Sequence, residues 1–210
     1  FAIIVAKNLF GGLGHNFMNP ALAGRCFLLI SFSGIVANYA VDGYSSATPL
    51  AQMASGQAVN VTQMLIGNTS GVIGNSAIAL FIGGMVLWAM GGITFEIPAA
   101  IIVSFTAFVA LFGGQGFNPT FLLAHLAGGG VIMAAFFMAT DYVTTPITTK
   151  GKWIFGIGCG ILTFVIREFA SMPEGCSFSI LLMNLLTPYI DKFTMTKPLG
   201  AKPIKQKEEA

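Results

Sequence analysis

Charge is what this sequence has least of. Asp, Glu, Lys and Arg make up 9% of its 210 residues, against roughly 25% in soluble domains. Set beside 55% hydrophobic residues and a mean hydropathy of +0.80, this scarcity excludes an ordinary water-soluble globule and makes a lipid bilayer the expected solvent. The net charge of +2 is too small for a nucleic-acid footprint, so no nucleic acid is expected among the partners. Cysteine is sparse as well. Cys26, Cys159 and Cys176 stand far apart without a CxxC spacing, which excludes a zinc site or a four-cysteine iron–sulfur site built from this chain alone and leaves them as small buried hydrophobes. Ten-residue alternating segments are missing, which argues against strands crossing the membrane. Residues 1–6 are apolar, with no initiating Met, no charged region before them and no small-residue cleavage site after them. The start therefore reads as the remainder of a longer protein and not as a signal peptide.

What the sequence does contain is apolar length. A bilayer core of about 30 Å takes about 20 helical residues, and six stretches qualify as spans: 20–40, 74–91, 97–113, 119–139, 152–170 and 176–195. The second and third are separated by little more than Gly91-Gly92-Ile93-Thr94-Phe95-Glu96, and the fifth and sixth by Ser171-Met172-Pro173-Glu174-Gly175, so both pairs are expected to be tight antiparallel hairpins. Five of the ten basic residues (Lys192, Lys197, Lys202, Lys205, Lys207) lie in the last 19 positions, and the linker 41–73 contains no Lys or Arg. By the positive-inside rule the tail is cytoplasmic, Lys150 and Lys152 lie on the same side, and residues 41–73 are extracytoplasmic.

Landmarks recur at one offset. Asn19-Pro20, preceded by Phe17 and the glycines Gly11, Gly12 and Gly14, has a counterpart 99 residues later in Asn118-Pro119, preceded by Phe117, Gly113, Gly114 and Gly116. Asp42 and Asp141 are again 99 apart, each followed by a Thr-Pro pair, Thr48-Pro49 and Thr145-Pro146. This spacing predicts an internal duplication of three-helix units. Because three is odd, the second unit is inverted, an arrangement common in transporters. The first repeat occupies 1–111 with a partial N-terminal helix, the second 112–196, and a cytoplasmic tail 197–210. Asn followed by Pro reads as a capped helix start. Asn19 and Asn118 therefore mark two helix N-termini, which either only cap or point their positive ends at a ligand. Thr48-Pro49 and Thr145-Pro146 are expected to start helices by the same logic.

Ionisable residues inside spans are candidates for function. Arg25, one turn into the first span, either snorkels or pairs with an acidic group. Glu96 suits the first turn of the third span. His125, beside Gly128-Gly129-Gly130, reads as a satisfied core histidine, and Arg167-Glu168 as a pair at the membrane boundary.

The segment Asp42-Gly43-Tyr44-Ser45-Ser46-Ala47-Thr48 resembles the sequence recognised by periplasmic flavin transferases, which attach FMN through its phosphate to a Thr hydroxyl. Such a phosphoester needs an accessible hydroxyl, small neighbours and a local positive field, which a helix start at Pro49 could supply. The likeness extends along most of the chain. Gly11-Gly12-Leu13-Gly14, Asn19-Pro20-Ala21, Gly24-Arg25, Ser46-Ala47-Thr48, residues 139–144, Gly151, Pro173-Glu174-Gly175, Leu182-Met183-Asn184 and Thr187-Pro188 are similar to the family that joins the D-type membrane protein of the Rnf electron-transport complex with the B-type membrane protein of the sodium-translocating NADH:quinone reductase.

The resemblance implies an all-α polytopic membrane protein with an inverted-repeat fold similar to urea transporters, in the bacterial inner membrane. Its implied role is electron transfer within an ion pump coupling ferredoxin and NAD, not catalysis alone. It further implies covalent FMN on Thr48, with Asp42, Ser46, Ala47 and Pro49 around it, and a non-covalent riboflavin near Asp141, Thr144 and Thr145 toward the opposite face. Asn19, Arg25 and Asn118 are further candidates for flavin contact. Covalent attachment at Thr145 is not expected, because the Ser-x-Ala spacing is missing before it. The implied partners are the other Rnf subunits, among them the FMN-bearing G-type protein and iron–sulfur membrane subunits, a flavin transferase during maturation, and lipid. The B-type protein of the quinone reductase is the alternative identity. On the repeat alone, a flavin-free solute channel or a purely structural subunit would serve equally well.

Overall fold

Asn-Pro sets the first helix boundary. The Asn19 side chain accepts from the N–H groups of Ala21 (3.0 Å) and Leu22 (3.3 Å), and Pro20 opens helix α1 (Pro20–Ser31), followed after Phe32 by the short α2 (Ser33–Val36). The computed structural model describes residues 1–12, 14–36, 40–41, 44–45, 49–54, 59–69, 76–114, 116–170 and 175–195. A π-helical turn, Ala2–Lys7, precedes α1 and packs on it where Gly24 faces Ala2. Beyond α1 and α2 the helices are α3 (Pro49–Ala54), α4 (Val61–Ile66), α5 (Ala77–Ala89), α6 (Glu96–Phe112), α7 (Pro119–Ala127), α8 (Val131–Met133, continued as a π-helix through Ala134–Met138), α9 (Thr149–Phe169) and α10 (Gly175–Thr194). Strand structure among the described residues is limited to a two-residue antiparallel ladder in the linker, Ala40 opposite Ser45 and Val41 opposite Tyr44. It crosses no membrane.

The centre of the molecule is a three-helix contact. On α6, Ile97, Ile101, Phe105 and Val109 recur every fourth residue and are all buried. They face α9, where Gly156 lies on Ile97 and Ala100 while Gly160 lies on Ile101, Ser104 and Phe105. Residue numbers rise together along this contact, so α6 and α9 run parallel. α10 returns antiparallel, with Met183 on Gly158, Ser179 bonded to Thr163 (2.7 Å) and Thr194 bonded to Thr148 (2.6 Å). Lipid supplies no hydrophobic drive between helices, and small residues that let backbones approach then carry the packing. Gly156-x-x-x-Gly160 does so here. The hairpin expected for α9 and α10 agrees with these flanks; residues 171–174 lie outside the described residues. The α5–α6 pair differs from expectation. Gly91 (φ 73°) turns the chain, but α5 takes its main seat on the π-helical stretch, Gly84 against Phe136 and Gly83 near Phe137, and Phe81 meets Phe136 edge-on at 5.7 Å.

The six expected spans all contain helix, but five are shorter, broken or more polar than a single crossing requires. Among the described residues, Thr149–Phe169 alone is long and apolar enough to span unaided, and Pro119–Ala127 with Val131–Met138 would be a second if counted together across their 61° bend. Helices α1, α5 and α6 have 12, 13 and 17 residues, or about 18–26 Å at 1.5 Å per residue. α10 has 20 residues but carries Ser177, Ser179, Asn184, Thr187 and Asp191 along its length. Caps and left-handed glycines set these ends, and hydropathy does not register them. Short or broken helices are tolerated at membrane depth where protein covers their ends.

Candidate functional site

Asp42, Ser46, Ala47 and Thr48 lie outside the described residues. Pro49 starts α3 as expected and is half-buried. α3 is described over six residues, Pro49–Ala54. The described parts of the linker pack onto α5 and α7. Met64 of α4 is buried with Ala77 of α5 and with Ala124 and Ala127 of α7, and Leu50 of α3 touches Gly128 just beyond α7.

Gly128 belongs to the break between α7 and α8. Gly129 (φ 59°) and Gly130 (φ 69°) are left-handed, a conformation other residues adopt at a cost, and they turn the chain by 61°. A helix end leaves carbonyls unpaired, and two of those at this break are held from α9. Arg167 donates from Nη1 to His125 O (3.0 Å) and from Nη2 to Gly128 O (3.1 Å), while its guanidinium stacks over Phe105 at 5.0 Å. A cation at a helix C-terminus is also favoured by the helix dipole. Cys176 directs its thiol toward Gly129 O (3.7 Å). Arg167 is therefore not the boundary residue its position suggests: it turns inward and ties α6, α7 and α9 together. Glu168 beside it is exposed. His125 bonds Phe121 O within its own helix (3.1 Å), and its ring lies tilted at 49° against the Phe121 ring.

Between α8 and α9, Asp141, Thr144 and Thr145 do come together, but they bond one another. Thr144 Oγ1 donates to Asp141 Oδ2 (3.0 Å) and Thr145 Oγ1 to Asp141 O (2.7 Å), and Thr144 is 4% exposed. The helix start expected at Pro146 is not there. Pro146 is buried in the turn, and α9 begins at Thr149 with Thr148 as its cap, accepting from Gly151 N–H (3.0 Å). Two nearby threonines compete for the cap, and the one whose hydroxyl also reaches Thr194 prevails.

A row of polar residues on α10 pins this turn. Thr187 Oγ1 donates to Thr144 O (3.0 Å), Asp191 Oδ1 accepts from Ile147 N–H (3.1 Å), and Thr194 meets Thr148. With its amide oriented to satisfy both ends, Asn184 donates to Thr144 O (3.3 Å) and accepts from Asn19 N–H (3.2 Å). The start of α1 thus sits against the middle of α10, and Asn184 joins two expected site residues, Asn19 and Thr144. The 184, 187, 191, 194 spacing marks one helical face, a signal readable in the sequence. Asn184 is 2% exposed. Asn184→Leu should therefore lower stability by about 1–3 kcal/mol, the cost of stranding a buried polar group, read as a lower midpoint of thermal unfolding in detergent. Asn184→Asp should be worse at neutral pH, because it sets a carboxylate against Thr144 O.

The other expected residues stand apart. Asn118 caps α7, accepting from Thr120 N–H (3.1 Å), and Arg25 is half-buried on α1. Glu96 opens α6 as expected, with Oε2 buried and without a hydrogen-bond partner among the described residues. The NQR2, RnfD, RnfE family matches residues 1–200. The D-type protein of the Na(+)-translocating ferredoxin:NAD(+) oxidoreductase complex of Acetobacterium woodii is 44% identical over 100% of this chain and 67% of its own length. Its counterpart in the proton-translocating complex of Clostridium ljungdahlii is 38% identical over 96% of this chain and 66% of its own length. The B-type protein of the Na(+)-translocating NADH-quinone reductase of Klebsiella pneumoniae is 38% identical over 91% of this chain and 52% of its own length. The chain thus spans about two thirds of the two D-type proteins and about half of the B-type one. With a family match running through nearly every described element, from the Asn19 cap to the polar face of α10, this chain belongs to the NQR2, RnfD, RnfE family.

Proposed function

We propose that this chain is the D-type membrane subunit of an Rnf-like, ion-translocating ferredoxin:NAD oxidoreductase, carrying FMN through a phosphoester to Thr48. The observation that carries the reading is the segment ending in Ser46-Ala47-Thr48, in a chain 44% identical to such a subunit. The geometry at the second copy supports attachment at Thr48 alone, because the Thr144 and Thr145 hydroxyls are already donated within the turn. When bound, a flavin supplies one- and two-electron redox chemistry. The chain supplies the attachment hydroxyl and a low-dielectric scaffold that tunes the potential. The other subunits of the complex are its partners, and a flavin transferase acts on it during maturation. The B-type quinone reductase protein is the second reading, favoured by a 38% identical relative that also spans most of the chain.

The inverted repeat belongs to the same proposal. It is supported by the nearly identical backbone of the two Asn caps, φ −63°, ψ 115° at Asn19 and φ −70°, ψ 113° at Asn118, and by a break soon after each capped helix, at Phe32 and at 128–130. An orientation with 41–73 outside is supported by Lys150, Lys152 and Lys192 gathering at the α9 start and α10 end, while α3 rests near Arg167 toward the other end of α9. A non-covalent riboflavin near Asp141, Thr144 and Thr145 is the second flavin that the resemblance implies. The test is the purified native complex, denatured and separated on a gel. Flavin fluorescence on this chain and one FMN phosphoester in its intact mass are expected, with a second flavin released unbound. A colourless chain of unmodified mass would overturn the reading in favour of a solute channel.

A further inference from the structure

We propose that the Arg167-clamped break between α7 and α8 is the seat that positions the flavin-bearing segment, with Gly128 as its contact point and Arg167 as the residue that holds it in shape. The inference rests on the Thr48 reading above. Thr48 is two residues before Leu50 in the sequence, and Leu50 is where α3 meets the second repeat. The seat has two separate requirements.

The first is space. Gly128 has ordinary angles, φ −85° and ψ 156°, so its backbone would accept any residue. A Cβ there would nevertheless stand 2.9 Å from Ala124 O and 2.9 Å from Leu50 Cγ. The Leu50 side chain can turn away from that Cβ; the α7 carbonyl cannot. Glycine is thus fixed at this position by α7's own carbonyl, and its bare backbone is the surface on which Leu50 of α3 rests.

The second requirement is a fixed shape. The break is built on two left-handed glycines and has no hydrogen-bond ladder of its own across the bend. Its carbonyls are fixed by the two diverging donors of Arg167, a fork that an ammonium cannot reproduce. The guanidinium is fixed in turn by the Phe105 ring and by Cys176, whose sulfur lies 3.6 Å from Nη2. Charge-assisted bonds to carbonyls in a low-dielectric setting are strong, so the Gly128 surface keeps one geometry while α3 rests on it. Arg167 is on this argument a positioning residue that acts through Gly128 and Leu50.

The test uses the full subunit in its membrane complex, with Gly128→Ala, Arg167→Met, Arg167→Lys and, as a control, Glu168→Gln. Three quantities are read: amide hydrogen exchange in residues 49–54, covalent flavin per chain on a denaturing gel, and the midpoint potential of that flavin. Gly128→Ala and Arg167→Met should speed exchange in 49–54 at least tenfold while leaving 151–165 unchanged, and should lower covalent flavin or shift its potential. Arg167→Lys should fall between Arg167→Met and the unmodified chain, and Glu168→Gln should match the latter. If Arg167→Met fails to assemble, Gly128→Ala alone decides. Unchanged exchange in 49–54 would overturn the seat. Faster exchange with flavin content and potential both unchanged would overturn its positioning role while leaving covalent flavin on Thr48 standing. Absence of covalent flavin from the unmodified chain would overturn both.

Discussion

A Thr48→Val variant is expected to carry no covalent flavin, a fall from one per chain to none, while Thr145→Val keeps the full amount. Val matches Thr in shape and removes only the hydroxyl, so the loss reports the attachment atom and not the fold. The contrast with Thr145 has a structural reason. Thr145 Oγ1 is committed to Asp141 O at 2.7 Å, and its neighbour Thr144, 4% exposed, is committed to Asp141 Oδ2 at 3.0 Å. Neither hydroxyl is presented to a transferase. Fluorescence of the denatured chain on a gel, checked by intact mass, reads the outcome directly. Fluorescence persisting in Thr48→Val would move the attachment elsewhere and sink the assignment.

Local chemistry was the legible part of this fold. Asn19 and Asn118 start helices one residue later, as Asn-Pro predicts, because a cap and a ring-fixed φ act within a single turn. Thr145-Pro146 looked equally local and was not. Thr148, three residues on, makes the cap because Thr194 of a helix 46 residues away also bonds its hydroxyl. The continuity of two expected spans, 20–40 and 119–139, failed for a related reason. A hydropathy window sums apolar character and passes over the glycines at 91 and 128–130, where the helices end or bend. Arg167 departs from the expected boundary position because its partners are backbone carbonyls at a break, which have no sequence signature of their own. The triple glycine at 128–130 was the available hint. The polar face of α10 and the Gly156-x-x-x-Gly160 pattern were both open to reading by helical periodicity, yet neither shows which helix it meets.

That last pattern carries the largest expected effect on folding. Gly160 sits where α9 crosses closest to α6. A Cβ there would overlap Ser104 Oγ and stand 2.9 Å from Ile101 O and 3.0 Å from Phe105 N. Ser104 can rotate, although its hydroxyl is bonded back to Ala100 O at 2.6 Å, but the two backbone atoms move only if α6 moves. Gly160→Ala should therefore destabilise by about 1–3 kcal/mol, the usual cost of overpacking, and Gly160→Leu by about 4 kcal/mol or more, enough to prevent recovery of a folded subunit. Gly34→Ala in α2, where an added Cβ meets no described atom within 4 Å, is the control and should be neutral or slightly stabilising. Thermal unfolding in detergent and the monodisperse fraction on size exclusion measure both. A Gly160→Leu subunit that stays monodisperse and melts within a few degrees of the unmodified chain would show that α6 and α9 do not pack through this glycine. The consequence also reaches α3. Arg167 lies seven residues beyond Gly160, on the same face of α9, and its guanidinium rests on Phe105 of the helix that would be displaced. A Gly160→Ala subunit that still folds should thus show faster exchange in 49–54 than Gly34→Ala, because loosening α6 from α9 loosens the clamp on the α7–α8 break.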